Sequence, residues 1–177
     1  FLSRKVPMSA VLDFSFLSIV ELEELSSKLE IVKPAKDGVE SDQPRRVRAQ
    51  CLRLCNNSIE SIDTLPEVAN AILKQPLSLR WIDLSFNEMT GLGEALSSFT
   101  EINVLYLHAN KISSFKELKC LSGLTKLRSI TLHGNPIAEK KSYRLYLIIN
   151  LPALNQIDFS PITRQDRETA KTWAAAN

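Results

Sequence analysis

The chain has few of the residues that build disulfide-linked, catalytic or membrane-spanning structures. Its 177 residues include three cysteines, two histidines and five glycines. An odd cysteine count without a cysteine-rich end argues against a disulfide framework and favours the cytosol. No apolar run approaches the ~20 residues that a membrane helix needs. The formal net charge of +2 gives no reason to expect a nucleic acid or an anionic membrane as partner.

The sequence also lacks the short motifs of common enzyme classes. It contains no G-x-G-x-x-G after a predicted strand, no phosphate-binding G-x-x-x-x-G-K-[ST] and no H-E-x-x-H. A serine or cysteine nucleophile would have to use His108 or His133 as its base, and neither has an evident third member of a triad. We therefore predict a protein that is not an enzyme and that uses neither a cofactor nor a small-molecule substrate.

What the chain does contain is a repeated motif. The pattern L-x-x-L-x-L-x-x-N-x-L occurs four times, once with alanine for the first leucine, at 49–59, 79–89, 102–112 and 127–137. A degenerate fifth copy at 154–162 keeps the apolar frame, with Phe159 in a leucine position, but lacks the asparagine. This motif is typical of leucine-rich repeats, in which each coil adds a short strand and stacked coils bury the leucines. It predicts an α/β solenoid with a parallel concave sheet, a helical or 3-10 convex side and a helical C-terminal cap.

An asparagine follows each of the four predicted strands, at the point where the backbone turns. These residues are Asn57, Asn87, Asn110 and Asn135. We expect their stacked amides to pair with backbone N–H and C=O groups that would otherwise be buried without partners.

The periodicity divides the chain into an N-terminal arm (1–48), the repeats (49–162) and a C-terminal helix and tail (163–177). In the arm we predict a helix from Ser18 to Leu29, begun by a capping box, followed by a linker over 33–48. The arm either caps the first repeat or binds another protein, and the sequence leaves both open. Because the chain begins at Phe1, it also leaves open where the true N-terminus lies.

Further helices are predicted from apolar spacing and from capping residues. Spacing places one at 67–74, inside the long first interval between asparagines, and another at 139–150, as the C-terminal cap. Thr163 lies three residues before Asp166 and is a candidate N-cap for a last helix.

Alternation along each strand predicts which side chains face the concave surface. The residues that we assign to a partner-binding site on this face are Arg53, Trp81, Asp83, Tyr106, His108, Thr131 and His133. Trp, Tyr and Arg are enriched at the hot spots of protein interfaces, so the set favours a protein partner. Trp81 and Tyr106 are expected to be neighbours on adjacent coils, although Trp81 could instead pack against the arm.

The two histidines share one register position in consecutive repeats, which raises the question of a metal site. Zinc sites generally have four ligands, and the nearest further candidate is Asp158. We therefore predict that His108 and His133 bind no metal.

Segments 105–110 and 132–136, with the cap at 143–163, resemble the short intracellular leucine-rich repeat proteins. This subclass includes a regulator of protein phosphatase 1, the outer-arm dynein light chain and the spliceosomal A-prime protein. More specifically, Trp81-Ile-Asp-Leu-Ser-Phe-Asn87 together with Asp13-Phe-Ser-Phe16 resembles the family of leucine-rich repeat-containing protein fifty-one.

That resemblance implies a scaffold or adaptor of ciliated and flagellated cells. It would be a structural component of the axoneme, in the cytoplasm, bound to a microtubule-associated assembly. Two alternatives stay open: a regulatory subunit of a phosphatase or dynein motor, and a subunit of an RNA particle. Neither a membrane nor nucleic acid is expected as the direct partner.

Overall fold

The computed structural model describes residues 11–32 and 46–176, which form one sheet of seven strands in sequential order. The strands are β1 (Val11–Asp13), β2 (Cys51–Arg53), β3 (Trp81–Asp83), β4 (Val104–Tyr106), β5 (Ser129–Thr131), β6 (Gln156–Ile157) and β7 (Ser160–Pro161). Strands β1 to β6 pair in parallel, and β7 pairs antiparallel with β6. The predicted leucine-rich repeat fold is therefore confirmed.

Helices and 3-10 turns connect the strands and form the other side of the solenoid, as predicted. The α-helices are α1 (Glu24–Val32), α2 (Leu65–Ile72), α3 (Tyr143–Asn150) and α4 (Arg164–Ala176). The 3-10 segments are Pro76–Ser78, Phe115–Gly123 and Pro136–Glu139. Within the described part of the chain, no helix has both the length and the apolar character that crossing a bilayer requires.

The repeat leucines form the core because they lie on the inward face of each strand, where the stacked coils pack on one another. The central residues of β2 to β5 lie in register and are fully buried: Leu52, Ile82, Leu105 and Ile130. The apolar residues two positions later are equally buried: Leu54, Leu84, Leu107 and Leu132. Stacking therefore removes from water the apolar faces that a single coil would leave exposed.

The asparagines form the predicted ladder of backbone hydrogen bonds. Asn87 Nδ2 donates to the carbonyl oxygens of Leu84 and Leu54, both at 3.0 Å, and its Oδ1 accepts from the Ile59 N–H at 3.1 Å. Asn110 and Asn135 make the equivalent bonds in the following coils. Each amide therefore joins the turn of its own coil to the coil before it.

Replacing one ladder amide should destabilise the solenoid. We expect Asn87→Ala to lower the free energy of unfolding by about 1–3 kcal/mol, because one N–H and three C=O groups, those of Leu54, Leu84 and Ser85, lose a buried partner. Urea unfolding followed by far-UV circular dichroism measures the loss. Asn103→Ala is the matched control: its amide makes one exposed bond, to the Lys126 carbonyl at 3.0 Å, and its loss should stay within about 0.5 kcal/mol. Equal losses in the two variants would contradict the ladder.

At the N-terminal end, the structure differs from the sequence prediction. Strand β1 was not predicted, yet it extends the parallel sheet by one coil. Helix α1 begins at Glu24 rather than Ser18, whose φ of 53° is left-handed and therefore not helical. The predicted capping box of Ser18 and Glu21 is wrong, because Glu24 Oε1 accepts from the N–H groups of Val20 and Glu21 at 2.9 and 3.1 Å.

The described part of the arm covers the first repeat. Leu25 and Leu29 of α1 are buried in the common core, and β1 pairs with β2 along its whole length. Most of the predicted linker lies outside the described residues. Where the chain is again described, Val47 forms a parallel bridge with Leu73, beyond the end of α2.

The C-terminal cap forms nearly as predicted. Helix α3 begins at Tyr143 rather than at 139, because Pro136–Glu139 forms a 3-10 turn first. Helix α4 has the capping interaction that its sequence indicated. The Asp166 N–H donates to Thr163 Oγ1 at 3.1 Å, while the Thr163 N–H donates to Asp166 Oδ2 at 2.9 Å.

Candidate functional site

The concave face carries an aromatic pair at its centre. The rings of Trp81 on β3 and Tyr106 on β4 pack edge to face, with centroids 5.8 Å apart. Their register partners are Val104 and Asp83, so the two rings are diagonal neighbours across the parallel pair. Both side chains are half-buried, and the expected contact between them is confirmed.

A row of alternating charges crosses the N-terminal half of the face. Arg53 lies in register between Asp13 and Asp83, with Nη1 3.1 Å from Asp13 Oδ2 and Nε 3.9 Å from Asp83 Oδ2. Its guanidinium carbon also lies 5.1 Å from the centroid of the Trp81 ring. Partial burial opposes ionisation of Asp13, but hydrogen bonds from Ser15 and the nearby Arg53 lower its pKa. Arg53 is therefore held in place by partners on both neighbouring strands.

Two of the proposed site residues lie beneath the surface of this face. Asp83 is 7% exposed and accepts hydrogen bonds from the N–H and hydroxyl of Ser85, at 3.1 and 2.6 Å. Thr131 is fully buried. Sequence alternation placed both on the concave side, but it could not show that both are buried in the folded chain.

The two histidines stack on each other. Their ring centroids lie 4.6 Å apart with an interplanar angle of 11°. His108 Nδ1 is hydrogen-bonded with Thr131 Oγ1 at 2.8 Å, and His133 Nδ1 lies 3.2 Å from Asp158 Oδ1. Burial, followed by the charge of its stacked neighbour, lowers the pKa of His108 below 6.5. Across residues 11–32 and 46–176, no three His, Cys, Asp or Glu side chains are placed to hold a metal ion.

Phe159 lies on the concave face and not in the core, so its predicted place in the leucine frame is wrong. Strands β6 and β7 form a tight hairpin whose central residues, Asp158 and Phe159, have φ values of 50° and 61°. Primed hairpin turns require such positive angles. The reversal exposes 53% of Phe159 and places its ring 5.6 Å from that of Tyr106, 5.8 Å from His133 and 6.1 Å from His108.

A second exposed phenylalanine, Phe86, was not among the predicted site residues. Its side chain is 52% exposed, and its ring packs edge to face on His108 at 5.3 Å. It occupies the position directly before the ladder asparagine. In all four coils that contain a ladder asparagine, the residue at this position has a left-handed backbone. These residues are Asn56, Phe86, Ala109 and Gly134, with φ between 54° and 72°. The signal was present in the sequence, since phenylalanine is an unusual residue at such a position.

The concave face thus carries one continuous group of rings, which we call the aromatic cluster. It consists of Trp81, Phe86, Tyr106, His108, His133 and Phe159. The cluster draws on three coils and on the C-terminal hairpin.

Comparison with known proteins places this geometry in a family. A leucine-rich repeat family matches residues 48–177. Leucine-rich repeat-containing protein 51 of Rattus norvegicus is 40% identical over 171 residues, which cover 94% of this chain and 85% of the rat protein. The chain belongs to the leucine-rich repeat-containing protein 51 family. This confirms the more specific of the two resemblances noted in the sequence.

A more distant relative is a small nuclear ribonucleoprotein protein. The probable U2 small nuclear ribonucleoprotein A′ of Drosophila melanogaster is 29% identical over 121 residues, which cover 68% of this chain and 43% of that protein. A chain in the crystal structure of the Drosophila melanogaster SNF/U2A′ complex aligns with a TM-score of 0.70 at 24% identity, covering 93% of this chain and 80% of that one. At this identity the structural match shows the fold alone.

Family membership also bears on the type of activity. Leucine-rich repeat proteins are generally interaction modules without catalytic activity, and the families matched here are leucine-rich repeat families. The chain is a leucine-rich repeat protein whose architecture is consistent with a scaffold for protein interactions.

Proposed function

We propose that this protein is a non-enzymatic scaffold that binds a protein partner through its concave face, centred on Arg53, Trp81 and Tyr106. The observation that carries the proposal is the aromatic cluster. Trp81 and Tyr106 lie on parallel strands, and the other rings follow strand ends beside turns that the asparagine ladder and the C-terminal hairpin fix. The surface is therefore formed before a partner arrives. A preformed site loses less conformational entropy on binding than one that must be ordered.

The composition of the face also supports a protein partner. Tryptophan, tyrosine and arginine contribute most of the energy in typical interfaces, and here they are in contact with one another. Large aromatic rings that stay exposed in a folded monomer generally mark an interaction surface. The two carboxylates that pair with Arg53 hold it against Trp81, which reduces the number of rotamers that binding would have to restrict.

We further propose that the partner belongs to the ciliary or flagellar axoneme, so that the protein acts as a structural component of a microtubule-associated assembly. This part of the proposal is supported by the sequence resemblance set out above.

Truncating the central tyrosine tests the proposal. We expect Tyr106→Ala, expressed with a tag in ciliated cells, to be lost from detergent-extracted axonemes, because removing a central hot-spot residue weakens binding by about 2 kcal/mol or more, roughly 30-fold. The matched control is Leu77→Ala, which truncates a 58% exposed side chain in the 3-10 turn before β3. Thermal melts of both purified variants show whether folding is intact.

Two outcomes would count against different parts of the proposal. If the wild-type protein washes out with the soluble fraction, the axonemal location is wrong. If Tyr106→Ala is retained as well as Leu77→Ala, the concave face is not the binding surface.

A second candidate function is that of a protein subunit in an RNA–protein particle. It is favoured by the 29% identity with the probable U2 small nuclear ribonucleoprotein A′. Particle association would be sensitive to nuclease, and its salt dependence would be steep if phosphate contacts contributed. Axonemal retention that is unaffected by nuclease would exclude this candidate.

A further inference from the structure

We propose that the aromatic cluster receives a basic side chain of the partner, an arginine or a lysine, between Phe86 and Phe159 and above the stacked histidines. This inference rests on the proposed function and names the chemistry of the partner segment that the concave face recognises.

The first argument is that the fold requires a left-handed residue at the positions of Phe86 and Phe159 but does not require phenylalanine there. Both have left-handed backbones, with φ of 54° and 61°, and both are more than half exposed. This conformation is strained for a residue with a bulky side chain, whereas glycine avoids the strain and asparagine largely avoids it. Asn56 and Gly134 occupy the equivalent position to Phe86 in other coils. Strained residues of this kind concentrate at ligand-binding sites.

The second argument is geometric. Phe86 follows β3, and His108 follows the next strand, β4. Phe159 lies in the hairpin between β6 and β7. Both rings meet His108 edge to face, at 5.3 and 6.1 Å with interplanar angles of 83° and 68°. Tyr106 adds a third ring, 5.6 Å from Phe159. A cation that settles among these rings would lie within the roughly 6 Å of a ring centroid over which cation–π attraction acts.

At the Trp81 end of the aromatic cluster, a cation of the chain itself already lies against an aromatic ring. Arg53 lies 5.1 Å from the Trp81 centroid, so one aromatic face is occupied by an internal cation. Among the described residues, the other cation–π pair joins Lys140 to Phe115, which is not part of the cluster. The end formed by Phe86 and Phe159 is therefore the one with aromatic rings available to an external cation.

The third argument is the sign of the local charge. The groups that act on His108 are Asp83 from β3, Tyr106 from β4, the stacked His133, and Asp158 from the terminal hairpin. Two of them are carboxylates, and His108 itself is neutral at physiological pH because burial and the neighbouring His133 disfavour its protonation. The two carboxylates add negative charge beneath this end of the cluster, which favours a basic side chain over an acidic one.

Site-specific photocrosslinking identifies the partner segment by sequence, whichever protein supplies it. The photoreactive amino acid benzoylphenylalanine replaces Phe159 in the full-length chain, and the crosslinked peptide from ciliated cells is sequenced. We expect an arginine or lysine beside the crosslinked position. The same substitution at Tyr106 should crosslink to the same segment.

A synthetic peptide of that segment then tests the charge directly. Replacing its basic residue by glutamine should weaken binding to the wild-type protein at least 10-fold. For the unmodified peptide, affinity should fall as the pH drops below 6.5, because protonation of His108 adds positive charge beneath the site. The glutamine peptide should show a smaller change over this range.

A matched pair of protein variants separates binding from folding. Phe86→Asn introduces the residue found at the equivalent position of an earlier coil, so we expect a thermal melt at least as high as that of the wild type. Its affinity for the basic peptide should nevertheless fall about 10-fold, which corresponds to 1.4 kcal/mol. Ala109→Asn, at the equivalent position of the next coil, removes no ring and should leave the affinity unchanged.

The possible failures are distinguishable. A crosslinked segment without a basic residue, or equal affinities for the basic and glutamine peptides, would overturn this inference and leave the concave-face scaffold intact. An axoneme-retained protein that gives no crosslink from either Phe159 or Tyr106 would overturn the concave face as the binding surface, and this inference with it.

Discussion

Leu105→Ala should lower the free energy of unfolding by about 2–5 kcal/mol. Leu105 is the central residue of β4, has no exposed surface, and lies in register between Ile82 and Ile130. Backbone hydrogen bonds hold both neighbours in place, so the coils cannot close over the missing side chain. The free energy lost therefore includes the cavity as well as the lost burial of apolar surface.

Val104→Ala is the control, because it lies beside Leu105 on the same strand and faces the other way. Its side chain is half-buried, so its truncation should cost less than about 1 kcal/mol. Urea titrations of both variants, monitored by far-UV circular dichroism at equal protein concentration, give the comparison. Similar losses would mean that the division of β4 into an inward and an outward side is wrong.

The repeat architecture could be predicted because stacking imposes the same requirement on every coil. A residue such as Leu105 must point inward wherever the motif recurs, and a residue such as Asn87 must meet the same backbone groups of the preceding turn. Four repetitions of one pattern therefore predicted strands β2 to β5, their parallel order and the core that they share. The cap at Thr163 was predictable for a different reason, since a capping interaction is local.

The first coil could not be found this way because it lacks a ladder residue of its own. Strand β1 is followed by Leu17 where later coils have asparagine. The amide of Asn57, in the next coil, compensates: its Oδ1 accepts from the N–H groups of Leu17 and Ile19 at 3.0 and 3.1 Å, and its Nδ2 donates to the Phe14 carbonyl at 3.0 Å. A coil whose turn is completed by its neighbour carries only part of the motif in its own sequence.

The candidate site was predicted only where strand alternation decides it. Alternation placed Trp81 and Tyr106 on the concave face, and the parallel register made them neighbours. Phe86 follows its strand, where alternation no longer applies. Phe159 reaches the face through a hairpin turn that depends on the end of the solenoid. The burial of Thr131 depends in turn on tertiary packing, which alternation along a single strand does not describe.

Asp158→Ala should be the most damaging substitution at the C-terminal end. Asp158 Oδ1 accepts from the N–H groups of Leu132 and His133 at 2.7 and 2.9 Å, and Oδ2 accepts from the Tyr143 hydroxyl at 2.8 Å. It thereby completes the last coil where the fifth repeat has no asparagine. Since three donors would lose a charged acceptor, we expect a loss of roughly 3 kcal/mol. Tyr143→Phe removes one of these bonds and should cost about 1 kcal/mol.

The pH dependence of stability separates the contribution of the Asp158 charge from the contribution of the side chain's shape. Burial alone would raise the pKa of Asp158, but hydrogen bonds from Leu132, Tyr143 and His133 outweigh it and lower the pKa below 3.8. A carboxyl group whose pKa is lower in the folded than in the unfolded state stabilises the folded protein. The full stabilisation is present above the unfolded-state pKa and is lost as the pH falls through the folded-state pKa.

Asp158→Asn should therefore be less stable than the wild type at neutral pH, with the difference shrinking below pH 3.8. Other carboxyl groups with lowered pKa values, Asp13, Glu24 and Asp166, are common to both proteins and cancel in this difference. A difference that stays constant down to the acid transition would show that the charge of Asp158 does not stabilise the cap.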